Sequence, residues 1–522
     1  MVKLSQTYKS NIFAVNFIAE ILKTSLGPKG MGKLIFDRYG KLSFTKDGYT
    51  ILEELEIVHP AAKLMVELVK SQVKEMGDGV KRSVILVGGF LKKAEKLLIE
   101  GVHPSSIVEG YGKALKFCLN FLEKLRIPVN FEDEKFLYKI ASSTLASRVQ
   151  QFLDKMSWLT VKAVKSIVEE RNGKILVDVG GRVLIRKKEG GNIGDSRIVD
   201  GVIIGKGVAH PAMPKKVENA KILILSQKLY IEKRFKDFDA FTPQFTIKKP
   251  EKLKDFLGEK FKLSRIWLEK IKNLGVNVVV NLFGVEPSLE ELLAREGVMV
   301  VRRADKDAFN LLPLACGGRI VGNIEDATFD CLGWAKNVEE RKIGGGVRAD
   351  WMVFVEGCLN PKAVSILLRG ASWEIVEEYE RALKNSLYAV AEALKANGVL
   401  AGGGAWEAEL ALNLYKYALT LPGREQLAVK AYAEALNEIP KILILNSGLN
   451  PNNLLPEIRS RHEEGNWKTG FNCLNGKVED MENAGIFDVL NIAKQILKSA
   501  TETVNIILRV DKVYRQSGSV AS

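Results

Sequence analysis

The chain has 522 residues, 46% of them apolar and 27% charged, with a formal net charge of +14; this composition is ordinary for a folded globular protein of about three domains. No run of about 18 uncharged apolar residues marks a membrane span, and the opening MVKLSQTYKSNIF lacks the apolar core and small-residue cleavage site of a secretory signal. The five cysteines (Cys118, Cys316, Cys331, Cys358 and Cys473) are scattered with no C-x-x-C pair, which points to reduced thiols and away from a disulfide or zinc framework.

In chain order, NIFAVNFIAEILKTSLG places Ile12, Val15, Ile18, Ile21 and Leu22 on one helical face. HPAAKLMVELVKSQVKEMG and RSVILVGGFLKKAEKLLIEG are further long, apolar-periodic helices. Three histidines (His59, His103 and His210) precede proline and mark turns. The middle changes character: KILVDVGG, RIVDGVIIGKGV and KILILS are short β-branched runs bounded by glycine and charge. Much of the positive excess lies between Lys206 and Lys272. Within it, TIKKPEKLKDFLGEKFKLSR alternates lysines with Leu253, Phe256, Leu257, Phe261 and Leu263, as in an amphipathic helix with a solvated basic face. No recognition module accompanies this charge, so nucleic-acid binding is not expected. GVNVVVNLFGVEPSLEELLAREGVMVVRR reads as a β-α-β unit. AVSILLRGAS is a strand opening onto the helix WEIVEEYERALKNSLYAVAEALKANG, with Ser372 as its N-cap. After AGGGA the chain is helical again. Helix-rich ends flank an α/β middle, as when a central insertion splits one helical domain.

Four glycine motifs invite a ligand. GPKGMGK (Gly27–Lys33) approaches a Walker A loop, but residue 34 is leucine and a helix precedes it, so that reading is rejected. Gly27 is expected as a helix C-cap and Pro28 as a stop. The Asp47-Gly48 pair in TKDGYTI suggests a hairpin turn, and MGDGV (Met76–Val80) a second Asp-Gly turn between helices. LAGGGAWEAEL opens a helix, where backbone N–H groups favour phosphate and glycines permit its approach. Each is a weak signal alone. Together they supply carboxylates and glycine loops, which magnesium-ATP requires.

TSLGPKGMGKLIFDRYGKLSFTKDGYTILEELEIVHPAAKLMVELVKSQVKEMGDG resembles the N-terminal part of group II chaperonins, whose pattern runs LGPxGMDK, NDGATIL, HPAAK, GDGTT. CGGRIV, ILLRGAS, VLAGGGAWEAEL, GLNPNNLLPEIRSRH and NGKVEDM continue the match in family order. The stretches at His59–Lys63 and RSRHEEGNW are most similar to the eta subunit of the eukaryotic cytosolic chaperonin TRiC/CCT. The resemblance implies a multidomain α and α/β fold. Its parts would be a helical equatorial ATP-binding domain (1–138 and 401–522), a split intermediate domain (139–210 and 367–400), and an inserted α/β apical substrate-binding domain with a lid protrusion (211–366). It further implies a cytoplasmic double ring shared with seven paralogous subunits, ATP-driven folding of clients such as actin and tubulin, and ATP/ADP with Mg2+ as cofactors.

The same resemblance assigns residues. Gly27 and Pro28 stand at a nucleotide contact, and Asp47 and Gly48 at the Asp-Gly whose aspartate positions the attacking water. Gly79 belongs to GDG, with Asp78 as the magnesium ligand; Gly402 and Gly403 lie beneath the nucleoside, and Asp488 near the ribose. Departures fall on the same site. The GDGTT threonines are Val80 and Lys81, and the aspartate of LGPxGMD is Gly32. Asn385 replaces the aspartate that activates water, and a neutral amide cannot serve as general base, a loss of about 10²–10⁴-fold in rate. Weak ATP binding and poor or absent hydrolysis are therefore expected.

Overall fold

The computed structural model describes residues 6–36, 42–172, 174–229, 250–344, 350–359 and 361–512. Two compact units divide them. One is built from both chain ends, up to Val161 and from Glu377, with Glu170–Leu176; the other comprises Lys162–Glu169 and Val177–Val376. One helical unit interrupted by an α/β insertion is the arrangement the sequence pattern implies.

In the helical unit, Gln6–Lys23 buries Ile12, Val15, Ile18 and Leu22 on the expected stripe, with Ala19 among them. It packs on the helix Val80–Ile99, as do the helices Arg424–Leu436 and Leu490–Leu508. The Val80 helix is buried nearly all round, from Val80 through Leu98, which makes it the axis of the unit. Close approach is obtained with small residues: a Cβ on Gly88 would stand 2.6 Å from that of Ala19. Phe90 stacks on Tyr432 at 4.1 Å, with Tyr111 edge-on to Tyr432 at 5.4 Å. The Tyr111 hydroxyl donates to Phe90 O, and Tyr432 hydrogen-bonds Thr501, so both buried phenols are satisfied. His59 and His103 occupy N-cap positions of the helices Pro60–Met76 and Pro104–Leu122, each followed by proline at the first helical position.

The other unit contains a seven-stranded sheet. Its path runs Met299–Val301, Val278–Asn281, Lys216–Leu225, Gly333–Ile343, Asp350–Glu356, Gly201–Ile204, with Ile320–Val321 alongside Lys216–Leu225. Strands Val278–Asn281 and Met299–Val301 pair in parallel around the helix Pro287–Arg295, the expected β-α-β unit. Alternate residues feed two cores. Ile222, Ile224, Val278 and Val280 face a layer with Phe309 and Leu312, while Leu223, Leu225, Val279 and Val300 face one with Trp267, Ile271 and Leu289. Burial on both faces explains why these strands read as unbroken apolar runs. A three-stranded sheet orders Val183–Glu189, Val364–Gly370 and Arg197–Val199, and Ser372 accepts from Ile375 N as the N-cap of Trp373–Lys395.

The basic helix spans Pro250–Asn273. The preceding Thr246–Lys249 and the side chains of Leu253, Phe256 and Leu257 lie outside the described residues. Of the remaining apolar positions expected to form its buried face, Phe261 and Leu263 are exposed; Trp267, Ile271 and Leu274 do the packing. Two local expectations also change. Helix Gln6–Lys23 stops before Gly27, which instead takes φ +81° in the following turn. Asp47-Gly48 is a helix start, not a hairpin turn, because the Asp47 side chain accepts from Thr50 N and caps Gly48–Glu54.

Candidate functional site

The first turn of the Val80 helix organises the cleft. Left-handed Gly77 (φ +71°) ends the helix Pro60–Met76, and left-handed Gly79 (φ +91°) opens Val80–Ile99, so half-buried Asp78 lies between two helix termini. A Cβ on Gly79 would meet Gln72, Ile492 and Ile496 at 3.0 Å each, and Gln72 donates to Asp78 O at 3.0 Å. Ser83 N is the first amide of the helix to reach Gly79 O, leaving the amides before it as donors for an anion.

Around that turn, Asp47 is buried and engaged at both oxygens. Oδ1 accepts from Arg148 Nη2 at 2.7 Å; Oδ2 accepts from Thr50 N at 2.9 Å and Thr50 Oγ1 at 3.0 Å. Burial would raise this carboxyl, but the Arg148 charge and the Thr50 and Arg148 hydrogen bonds outweigh it and hold the group below its ordinary range. Arg148 Nη2 is shared with Asn385. The hydrogen-bonding pattern orients that amide with its oxygen accepting from Nη2 at 3.0 Å and its nitrogen donating to Gly77 O at 3.1 Å and Arg381 O at 3.0 Å. Arg148 Nη1 is buried with no hydrogen-bond partner among the described residues. Glu378 adds a carboxylate that accepts from Thr45 Oγ1 at 3.3 Å and pairs with Arg381 at 2.9 Å.

Lys81 crosses from the Val80 helix to Ser25 O, 2.7 Å away, reaching the loop that holds Gly27 and Pro28. Gly48 abuts the same place, since a Cβ there would lie 2.9 Å from Lys81 Cγ and 3.0 Å from Val80 Cγ1. The half-buried Lys81 ammonium is pushed down to about 8, first by burial and then by the Arg148 charge. Val80 is buried and offers no donor side chain. Gly32 does not join the cluster: a Cβ there would strike the Phe44 ring at 2.4 Å, so an aspartate in its place would need that ring to move.

A second cluster grows from the neighbouring helical residue, Arg82. Strand Val399–Ala401 pairs antiparallel with Phe487–Val489, setting Leu400 opposite Asp488 and bringing Asp488 to the glycine loop. Gly402 N donates to Ile486 O, and Gly403 O accepts from Phe471 N, both at 2.9 Å. Arg82 Nη1 pairs with Asp488 Oδ2 at 2.6 Å, the oxygen that also accepts from Trp406 Nε1 at 3.0 Å. Glu407, with no exposed surface, has Oε1 3.7 Å from Arg82 Nε, while neither carboxylate oxygen has a hydrogen-bond partner among the described residues. Burial pushes it up to about 8, against the pull of Arg82. Burial disfavours the Arg82 charge too, and Asp488 and Glu407 more than compensate.

The fold thus gathers Asp47, Gly48, Asp78, Gly79, Val80, Lys81 and Asn385 at one end of the first turn, and Gly402, Gly403 and Asp488 beside its Arg82 side. Lys81 ties in the Gly27–Pro28 loop. Arg148, Glu378, Arg82, Trp406 and Glu407 were not foreseen. Trp406 and Glu407 lie inside the glycine motif, and Arg82 follows Lys81 directly, so adjacency was the available signal; Arg148 has no local one.

The chain matches the TCP-1/cpn60 chaperonin family over residues 18–517. It is 41% identical to thermosome subunit alpha of Aeropyrum pernix over 513 residues (97% of this chain, 91% of the relative). Identity to thermosome subunit beta of Sulfolobus acidocaldarius is 42% over 514 residues, with the same coverages. The open state monomer of a group II chaperonin from Methanococcoides burtonii superposes with a TM-score of 0.61 at 37% identity, covering 83% of this chain and all of that one. These archaeal relatives overturn the eukaryotic eta assignment. Two short stretches, HPAAK and RSRHEEGNW, carried that assignment, whereas identity over nearly the full length places the chain with the archaeal relatives. The chain therefore belongs to the TCP-1/cpn60 chaperonin family, with the fold of a group II chaperonin of the archaeal thermosome type.

Proposed function

We propose that the chain is a subunit of a double-ring, thermosome-type chaperonin that binds unfolded proteins, and that its own nucleotide site binds ATP weakly and hydrolyses it poorly or not at all. One observation carries the second part: both groups at the hydrolytic end are already committed. Asn385 spends its amide on Gly77 O and Arg381 O and its oxygen on Arg148. Asp47 is an N-cap and an ion-pair partner held below its ordinary range, which makes it a poor proton acceptor at neutral pH, and the nearby Glu378 carboxylate is paired with Arg381. A carboxylate at 385 in the same rotamer would point an oxygen at the Gly77 carbonyl, so the surroundings are matched to the amide.

The residues present fit a phosphate group better than a divalent cation. Phosphate is suited by the free amides of the first turn, by Lys81 and by Arg148. Magnesium would depend on Asp78, whose charge already acts on Lys81, Arg82 and Arg148; we infer that these cations oppose it. When bound, ATP would supply the free energy for ring closure, and this chain's residues would position its phosphates. Paralogous partners would then drive the cycle. The division into equatorial (1–138, 401–522), intermediate (139–210, 367–400) and apical (211–366) domains belongs to the same proposal, as does a cytoplasmic location. Among the described residues no helix is long and apolar enough to cross a membrane. Seven paralogues with actin and tubulin as clients followed from the eta assignment and have no support without it.

Reversion tests the reading. Assembled particles carrying Asn385→Asp with Val80→Thr and Lys81→Thr should gain about 10²–10⁴-fold in hydrolysis at this subunit. Ready turnover by the unaltered site, together with no gain on reversion, would overturn it.

A further inference from the structure

We propose that Arg82 and Trp406 are specificity-determining residues that close the nucleoside end of the cleft from within, so that the chain reads the phosphates of a nucleotide and not its ribose. The inference rests on the reading of this cleft as a nucleotide site and goes beyond it, because Val80, Lys81 and Asn385 concern only the phosphate end.

The observation is the double engagement of Asp488. Its Oδ2 takes the Arg82 guanidinium at 2.6 Å and the Trp406 indole N–H at 3.0 Å. Trp406 has no exposed surface and lies in the first turn of the helix Ala405–Ala418 directly after the glycine loop, so its indole N–H reaches Asp488 from inside the unit. A charge-assisted bond of this kind is shorter and roughly twice as strong as a neutral one. A neutral ribose hydroxyl therefore cannot displace Arg82 without leaving a guanidinium short of a partner. Arg82 is also held from behind. Its Nε lies 3.7 Å from Oε1 of Glu407, which has no exposed surface, so the guanidinium is packed against a buried carboxyl on the side away from Asp488. Asp488 is oriented by two anchors of its own chain, and both sit on the elements that would form the nucleoside wall. The phosphate end lacks such a plug: Lys81 and Arg148 are cations beside helix amides, which an anion strengthens.

Calorimetric binding to the full chain should compare ATP, 2′,3′-dideoxy-ATP and inorganic tripolyphosphate, each with magnesium and with excess chelator. The unaltered protein is expected to bind the three within about threefold of one another, since no hydroxyl is read. Trp406→Phe, which keeps an aromatic ring and removes the N–H, and Arg82→Thr should each create a preference for ATP over dideoxy-ATP of about tenfold, the value of a hydroxyl bonding a freed carboxylate. Tripolyphosphate affinity should stay unchanged. If the Arg82 variant fails to fold, as judged by circular dichroism, Trp406→Phe carries the test alone. An unaltered protein that already prefers ATP to dideoxy-ATP by about tenfold or more overturns the inference and leaves the nucleotide-site reading standing. A folded Trp406→Phe with no gained preference also overturns it. Binding of none of the three compounds by any version removes the nucleotide site itself, and the inference with it.

Discussion

Asp47 and Glu407 are both buried carboxylates with one arginine each, yet they titrate in opposite directions. Asp47 is held below its ordinary range, while Glu407 rises to about 8. Asp47 has Arg148 at 2.7 Å and two hydrogen bonds from Thr50. Glu407 has Arg82 at 3.7 Å, shared with Asp488, and no hydrogen bond. An opposing charge alone does not keep a buried carboxyl ionised; short donors to both oxygens do. The Asp47 end of the cluster therefore holds an ionised carboxylate with donors at both oxygens, and the Asp488 end has a carboxyl pushed toward its neutral form behind an ion pair.

The most damaging way to break the contrast is Arg148→Met, which strands the ionised Asp47 and Asn385 oxygen. A loss of about 3–5 kcal/mol of stability is expected by denaturant unfolding, with Asp47 moving upward in a carboxyl titration. Arg82→Met should cost less, about 1–3 kcal/mol, because Glu407 is already protonated at neutral pH and only Asp488 loses its partner. Equal losses in the two variants would mean that Glu407 is ionised and the contrast is wrong. Thr50→Val keeps the capping backbone bond and removes the hydroxyl, for about 0.5–1.5 kcal/mol and a rise in the Asp47 pKa.

The smallest effect at neutral pH, and the most diagnostic, is that of Glu407→Gln. Because the folded pKa of Glu407 lies above its ordinary 4.5, the native state holds a proton that the unfolded chain releases. Its contribution to stability is thus present below pH 4.5 and is lost as pH rises toward 8. The glutamine variant should flatten the fall of unfolding midpoint over that window and leave the acid side unchanged. Lys81 supplies a control of opposite sign. Its folded pKa of about 8 lies below the ordinary 10.5, so its burial cost is full below pH 8 and is relieved between 8 and 10.5. Lys81→Met should remove a rise of stability in that alkaline window, read in the same unfolding series.

Much of the fold was legible. The periodicity of residues 12–22, the β-α-β pattern at 275–303 and the Ser372 cap are local signals, and each element formed where expected. The Asp47-Gly48 pair misled, because Asp-Gly serves a hairpin turn or an N-cap equally well, and Thr50 N decided between them. Phe261 and Leu263 misled as well, since the face a helix buries is set by its neighbour and not by its own alternation. Within the candidate site, the glycine loops were visible as motifs, each weak alone, and Asp78 was singled out by the family resemblance. Arg148 could not, because residues 101 positions apart in sequence meet only through packing.

Periodicity by itself determined the helix-rich ends around an α/β insertion, and local motifs carried the resemblance to the family, against whose pattern residues 32, 80, 81 and 385 stand as departures. Only the tertiary structure decided what those substitutions meet. One arginine serves both Asp47 and Asn385, Lys81 reaches Ser25, and Arg82 with Trp406 claims Asp488. The reason is physical: the charge state and availability of a buried group depend on distances of about 3 Å to atoms brought from distant segments, and those distances come into being only when the chain is packed.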